Sequence, residues 1–290
     1  MRTRPGRTAA LALPVALTLA ACGAETDDAK TRETTSSPAR EASEQPRAPE
    51  SAEDFLDLAE KAMAEEPAWS FSVTGEEGLT LQGQKSAATY EGSLRRAVGR
   101  VALHSQGVST NSKGTKKTEE LYVVGDAGYL KEGAAGWKAV SPVAPEMRNK
   151  VEDPIAVVDA FRTYARTADG EVKVTETEGG DTVELRVVSG EQKLSAVQDR
   201  AWAKKAEREF DPTAEQLRVA GVPVEDGQVT LSGLEEVLVL DATSYRIESH
   251  RLDFGFLIPY NGQDITFEQK VSEANQGPYR GKIELPADVR

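Results

Sequence analysis

The chain has 290 residues, with 48 acidic and 35 basic side chains and a formal net charge of −13. This excess of negative charge repels phosphate backbones, so we expect no nucleic-acid partner. Cysteine occurs once, at Cys22, so no disulfide within the chain can stabilise the fold.

The first 21 residues have the organisation of a lipoprotein signal peptide. Three arginines precede an apolar run, Thr8 to Ala20, that is shorter than the roughly 20 residues needed to span a bilayer. Leu19-Ala20-Ala21-Cys22 resembles the bacterial lipobox. The resemblance implies cleavage before Cys22, a diacylglyceryl group on its thiol and often a further acyl chain, such as palmitate, on the new amino terminus. An ordinary secretory signal with an Ala-x-Ala-like cleavage site is the alternative.

The lipid on Cys22 predicts a protein anchored to the extracytoplasmic face of the cell membrane, because two acyl chains together give stable attachment. Residues 23–52 contain no aromatic residue and no Ile, Leu, Val or Met. Such a segment cannot bury enough apolar surface to offset its chain entropy, so residues 22–52 are predicted to be a disordered tether. Residues 53–290 are predicted to form a single domain.

The predicted domain begins with a helix capped near Ser51, and Trp69, Phe71 and Val73 then alternate with polar residues in a strand that ends at Gly75. Further strands are predicted over 87–94, 96–107, 118–124, 128–130 and 136–140. A helix follows the Asp153-Pro154 start signal, a hairpin covers 172–188, and residues 191–210 are predicted to form one helix with Lys205 among its outward basic residues.

The carboxyl-terminal part carries the clearest strand pattern. A strand is predicted over 237–241, and apolar residues alternate from Leu252 to Ile258. Asn261-Gly262 is a strong type I′ hairpin signal, and the returning strand presents Ile265 and Phe267. Together these elements predict an α+β fold dominated by antiparallel sheet.

Few residues indicate chemistry. His104 and His250 lie in predicted strands beside polar neighbours, so both are expected at exposed positions, and Glu235-Glu236 is expected at a solvated strand edge. No spacing typical of a zinc site, nucleophile elbow, phosphate loop or dinucleotide fingerprint occurs. The sequence therefore predicts a protein that is not an enzyme and that holds no metal or cofactor.

Several stretches together resemble the LolA-like lipoprotein superfamily, which includes the LppX- and LprG-like lipoproteins of actinobacteria. Besides the lipobox and tether, they are the opening helix with Trp69-Ser70-Phe71, the stretch Leu121 to Leu130 with Gly136-Trp137, and Leu238 to Ala242 with Tyr245-Arg246-Ile247. The resemblance implies a strongly curved antiparallel sheet, a half barrel, with helices on its concave side. It also implies an apolar hollow that takes acyl chains of lipids or lipoproteins.

Two hypotheses for function remain open. In the first, the protein binds a lipid, acyl chain or other apolar ligand through inward-facing residues of the first strand and the last hairpin. These candidate ligand-binding residues are Trp69, Phe71, Phe254, Phe256, Ile265 and Phe267. In the second, the same residues fill the core, and the protein is an envelope interaction or signalling lipoprotein whose partner is a membrane sensor, a transporter or a cell-wall enzyme.

Overall fold

The computed structural model describes residues 48–144, 147, 153–167, 171–177 and 179–289. The predicted signal peptide, the lipidated Cys22 and most of the predicted tether lie outside the described residues. The helices are α1 (Ala52–Met63), α2 (Val157–Ala165), α3 (Leu194–Val197) and α4 (Ala201–Val219). No helix of the described residues is both long enough and apolar enough to cross a membrane.

Twelve strands form one antiparallel sheet in the order β6-β5-β4-β3-β2-β1-β12-β11-β10-β8-β7, with the short β9 also paired to β10. The strands are β1 (Ala68–Leu81), β2 (Gln84–Ala97), β3 (Ala102–Asn111), β4 (Lys116–Val124), β5 (Ala127–Glu132), β6 (Lys138–Val140), β7 (Lys173–Glu176), β8 (Thr182–Ser189), β9 (Gln192–Lys193), β10 (Thr230–Asp241), β11 (Ile247–Tyr260) and β12 (Gln263–Pro278). The sheet is curved and does not close, so the predicted α+β half barrel is confirmed.

Pairing of β1 with β12 at the centre divides the sheet into two parts. We call β1 to β6 the amino-terminal half, and β7 to β12 the carboxyl-terminal half. The helices cover the concave face, where their apolar side chains and those of the strands form the main core. Burial of this apolar surface is the dominant favourable contribution to folding.

Local sequence signals account for several boundaries. The Ser51 hydroxyl accepts a hydrogen bond from the Asp54 amide, and the Asp54 carboxylate accepts one from the Ser51 amide, which forms a capping box at the start of α1. Asn261 and Gly262 have φ values of 51° and 82°, as the predicted type I′ turn between β11 and β12 requires. Both predictions are confirmed.

Several predicted boundaries are wrong; the strand predicted over 237–241, for example, begins at Thr230. The first strand does not end at Gly75 but continues to Leu81, because β2 and β12 pair with it on both sides over that length. The strand predicted over 96–107 is broken by a turn containing Gly99, whose φ is +75°. The single helix predicted over 191–210 is instead β9, α3 and the longer α4, because Gln192 and Lys193 pair with β10 and Arg200 has an extended backbone.

Candidate functional site

The six predicted ligand-binding residues all lie on the concave face within the main core. Trp69, Phe71, Phe254, Phe256, Ile265 and Phe267 are each at most 5% exposed. Phe210 of α4 packs between the last two strands, with ring centroids 4.9 Å from Phe256 and 4.8 Å from Phe267. The six residues therefore belong to the packed core, in which Phe254, Phe256 and Phe267 form an aromatic cluster with Phe210, and their role as ligand contacts stays a prediction.

A buried charged cluster lies beside these aromatic residues, on the three adjacent strands β10, β11 and β12. Glu236, His250 and Glu273 each have no solvent exposure. The His250 ring places Nε2 3.0 Å from Glu236 Oε1 and Nδ1 2.8 Å from Glu273 Oε2. Lys205 of α4 donates to Glu236 Oε1 at 2.8 Å, and the Tyr164 hydroxyl of α2 donates to Glu236 Oε2 at 3.1 Å. These polar contacts connect α2 and α4 to the sheet.

The cluster strongly favours its charged forms. Burial alone would raise the pKa of Glu236, but the charge of Lys205 and the hydrogen bond from His250 outweigh it and lower this pKa to about 2. Burial alone would lower the pKa of His250, but the charge of Glu273 and the hydrogen bond to Glu236 raise it to about 9. His250 is therefore an imidazolium at neutral pH, with both ring nitrogens donating to carboxylates.

Four expectations of solvent exposure are wrong. His250, Glu236 and Lys205 are buried in the cluster, because charged groups can leave water when opposite charges and hydrogen bonds replace it. His104 is also buried, on the convex face, where its ring stacks on Tyr122 with centroids 4.1 Å apart. The signal for His250 was present, since it shares strand alternation with the inward Leu252.

Open space on the concave side lies in the amino-terminal half of the sheet. A cavity of about 430 Å³ is bounded by β3, β4 and α2, and we call it the apolar cavity. Its apolar lining residues are Val101, Leu103, Leu121, Val123, Pro142, Met147, Ala156, Val157 and Ala160. None of the six predicted ligand-binding residues lines it. The volume lies in the range of about 300–1,000 Å³ that is typical of small-molecule sites.

Charged groups occupy one side of the apolar cavity. Arg96 forms an ion pair with Asp153, and Lys205 forms one with Glu236. The Arg208 side chain is 43% exposed and has its Nε 3.6 Å from Glu209 Oε1. Arg208 therefore has the most exposed side chain among the charged residues that line this cavity.

A second cavity of about 310 Å³ lies over β1, β2, β3 and β12, and Glu209 lines both cavities. Carboxylates of Glu77, Glu119 and Glu209 contribute to its lining, so we call it the acidic cavity. Among the described residues, no group of three or more His, Cys, Asp or Glu side chains is arranged to hold a metal ion.

No protein-family model and no curated protein sequence matches the chain. Among solved structures, a DUF1329 family protein from Desulfovibrio piger has a TM-score of 0.32 and 11% identity, covering 81% of this chain and 96% of its own. A β-barrel-like DUF1849 protein from Brucella abortus has a TM-score of 0.23 and 6% identity, with coverages of 73% and 99%. A phycobiliprotein lyase from Guillardia theta has a TM-score of 0.24 and 8% identity, with coverages of 80% and 100%.

Proposed function

We propose that this protein is a non-catalytic binding protein, anchored by lipid on Cys22 to the extracytoplasmic face of the cell membrane, that holds a lipid or acyl chain in the apolar cavity. The observation that carries the proposal is the cavity itself, about 430 Å³ of space lined by nine apolar residues under α2 and α4. The resemblance of the sequence to LolA-like lipoproteins supports the same function.

The apolar cavity offers hydrophobic walls for the body of a ligand and few polar groups to fix its orientation, as small-molecule sites generally do. Leu103 and Leu121 present apolar side chains from the sheet, and Val157 faces them from α2. Transfer of an alkyl chain from water to such walls is favourable by about 0.8 kcal/mol per buried CH₂. Arg208 at the side of the cavity can pair with a carboxylate or phosphate head group.

Titration with a fluorescent fatty acid tests the proposal. Val123→Phe places a larger side chain in the apolar cavity and should weaken fatty-acid binding at least tenfold. Val188→Phe is the matched control, because Val188 is 58% exposed on β8 and the same enlargement there should leave binding unchanged.

A wild-type protein that takes up no fatty acid would contradict the proposal. That result would favour the alternative of an envelope interaction lipoprotein with a filled core, for which the packed aromatic cluster of β11 and β12 is the supporting observation. Equal loss of binding in both valine variants would also place the site elsewhere.

The anchoring part of the proposal is tested separately by cell fractionation. Cys22→Ser removes the thiol that would accept diacylglycerol, so the variant should no longer appear in membranes as a cleaved, acylated species. Ser51→Cys in the Cys22→Ser background is the control, because a cysteine away from the lipobox should not restore acylation. A cleaved and acylated Cys22→Ser protein would contradict the lipobox interpretation.

A further inference from the structure

The acidic cavity contains an arrangement of hydrogen-bond acceptors that the proposed function does not use. Glu77 projects from β1 and Glu119 from β4, while Glu209 reaches the cavity from α4. Glu209 is 5% exposed, so its carboxylate is largely removed from bulk water. The lining of this space of about 310 Å³ contains more carboxylates than cationic side chains, which favours a positive charge there.

Tyr90 supplies an aromatic surface in the same cavity. A Cβ atom added at Gly92 or Gly107 would lie 2.5–2.9 Å from the Tyr90 ring or hydroxyl, so both glycines are needed for the ring to lie on the sheet. Burial raises the pKa of Tyr90 and the nearby charge of Glu119 raises it further, whereas the hydrogen bond with Ser105 acts in the opposite direction. The phenol is therefore neutral at physiological pH.

Gln269 is a second indication, independent of the carboxylates, that the acidic cavity binds a ligand. This residue of β12 is 7% exposed and lines the acidic cavity, and its Oε1 is buried without any hydrogen-bond partner. A buried carbonyl oxygen without a donor destabilises the folded protein, because it has lost its hydrogen bonds to water. A ligand that brings N–H groups into the cavity would remove that cost.

Three neighbouring side chains, one uncharged and two cationic, adjoin the acidic cavity. The uncharged Thr213 hydroxyl of α4 donates a hydrogen bond to Glu77 Oε1 at 2.9 Å. Lys270 also borders the cavity, but it follows Gln269 in the strand, so its exposed side chain points towards the opposite face of the sheet. Arg208 approaches Glu209 at 3.6 Å from the side of the apolar cavity.

We propose that the acidic cavity is a binding site for an organic cation, a primary ammonium or guanidinium group held by Glu77, Glu209 and the Gln269 carbonyl. An ammonium group offers three N–H donors and a guanidinium five, which match these acceptors. The face of Tyr90 adds a cation–π contact. The acidic cavity shares only Glu209 with the apolar cavity, and the inference does not depend on lipid binding.

Isothermal titration with 1,4-diaminobutane and with agmatine tests the proposal at constant ionic strength. Both cations should bind saturably to the wild-type protein, whereas 1,4-butanediol, of similar size and without charge, should not. Mg²⁺ at the same ionic strength should not compete. Absence of saturable binding up to 10 mM of either cation would overturn the proposal, and so would equal binding of the diol.

Two neighbouring glutamates provide a matched pair of variants. Glu77→Gln should weaken binding of both cations at least tenfold, because it removes one carboxylate from the cavity. Glu268→Gln should change it less than twofold, since Glu268 does not line the cavity and, as the residue before Gln269 in β12, is exposed on the opposite face of the sheet. Equal weakening in both variants would mean that the general negative charge of the surface is responsible, which would overturn the assignment of the site.

Gln269→Leu distinguishes a ligand contact from a structural residue. The substitution removes a buried oxygen that has no partner, so the unfolding midpoint of the unliganded protein should stay the same or rise. Binding of 1,4-diaminobutane should nevertheless weaken about fivefold. A variant that is destabilised but binds the diamine as tightly as the wild type would show that Gln269 is structural and would overturn its role in the site.

Discussion

The two halves of the sheet differ in how closely side chains are packed on their concave side. In the carboxyl-terminal half, Phe254, Phe256 and Phe267 meet Phe210 of α4 and leave a packed core. In the amino-terminal half, small residues such as Gly92 and Gly107 occupy inward positions and the apolar cavity lies there, while the acidic cavity spans the junction of the two halves at β1 and β12. The summed volume of inward side chains therefore decides where the covering helices leave room for a ligand.

The difference also separates stability from binding. Large aromatic side chains and the buried charged cluster hold α4 against the carboxyl-terminal half, while the same helix borders open space over the other half. Substitutions among the packed aromatic residues of the carboxyl-terminal half should mainly change the free energy of unfolding. Substitutions of residues that line the apolar cavity in the amino-terminal half should mainly change ligand affinity.

The largest expected effect comes from placing the same polar residue in each half. Phe256→Gln should lower the free energy of unfolding by about 5 kcal/mol, because it removes an aromatic ring from a packed site and buries an amide without partners. Val123→Gln should cost about 1 kcal/mol or less, because the amide can reach water in the apolar cavity. Urea unfolding of both variants measures the difference, and equal costs would remove the distinction between the halves.

The next effect concerns the charged cluster that fixes α4 to the packed half. Lys205→Met should lower the free energy of unfolding by about 4 kcal/mol, because Glu236 would lose one of its two buried cationic partners. Lys204→Met is the neighbouring control at an exposed position and should cost less than about 0.5 kcal/mol. Chemical denaturation checks both values, and a cost for Lys205→Met as small as that of the control would contradict the structural role of the cluster.

A smaller effect should appear in the pH dependence of stability. Because folding raises the pKa of His250 from 6.5 to about 9, its contribution is complete below pH 6.5 and is lost as the pH rises through 9, by up to about 3 kcal/mol. Glu236, with its pKa lowered from 4.5 to about 2, contributes above pH 4.5 and loses that contribution as the pH falls towards 2. Urea unfolding measured from pH 2 to 10 should therefore show a decrease at both ends of this range.

The two histidines allow a direct check by NMR, since His104 lies in the amino-terminal half and His250 in the other. Burial lowers the pKa of His104, although the hydrogen bond with Glu120 opposes this change. At pH 8 the His250 ring should therefore be protonated and the His104 ring neutral. A His250 ring that loses its proton below pH 6.5 would contradict the charged cluster.

Much of the fold could be predicted because its signals are local. The capping box at Ser51, the Asn261-Gly262 turn and the alternation in β11 each depend on a few neighbouring residues. The charged cluster could not be predicted in the same way. His250 finds partners 14 and 23 residues away, and Lys205 is 31 residues from Glu236, so no single element shows that the charges are compensated.

The location of the cavities could not be predicted from the sequence pattern either. Alternation correctly placed the six aromatic and aliphatic candidates on the concave face, but it carries no information on how closely a helix covers them. Phe210 lies at the end of the helix predicted over 191–210, and only its position in α4 shows that it packs on Phe256 and Phe267. The cavities depend on such distances between elements.

A crystal structure with a brominated fatty acid tests the central claim most directly, because the anomalous signal of bromine locates the acyl chain without ambiguity. The account predicts bromine in the apolar cavity, in contact with Leu103 or Leu121 of the sheet and Val157 of α2. Bromine between Phe210 and Phe256, or no bound fatty acid at saturating concentration, would contradict it.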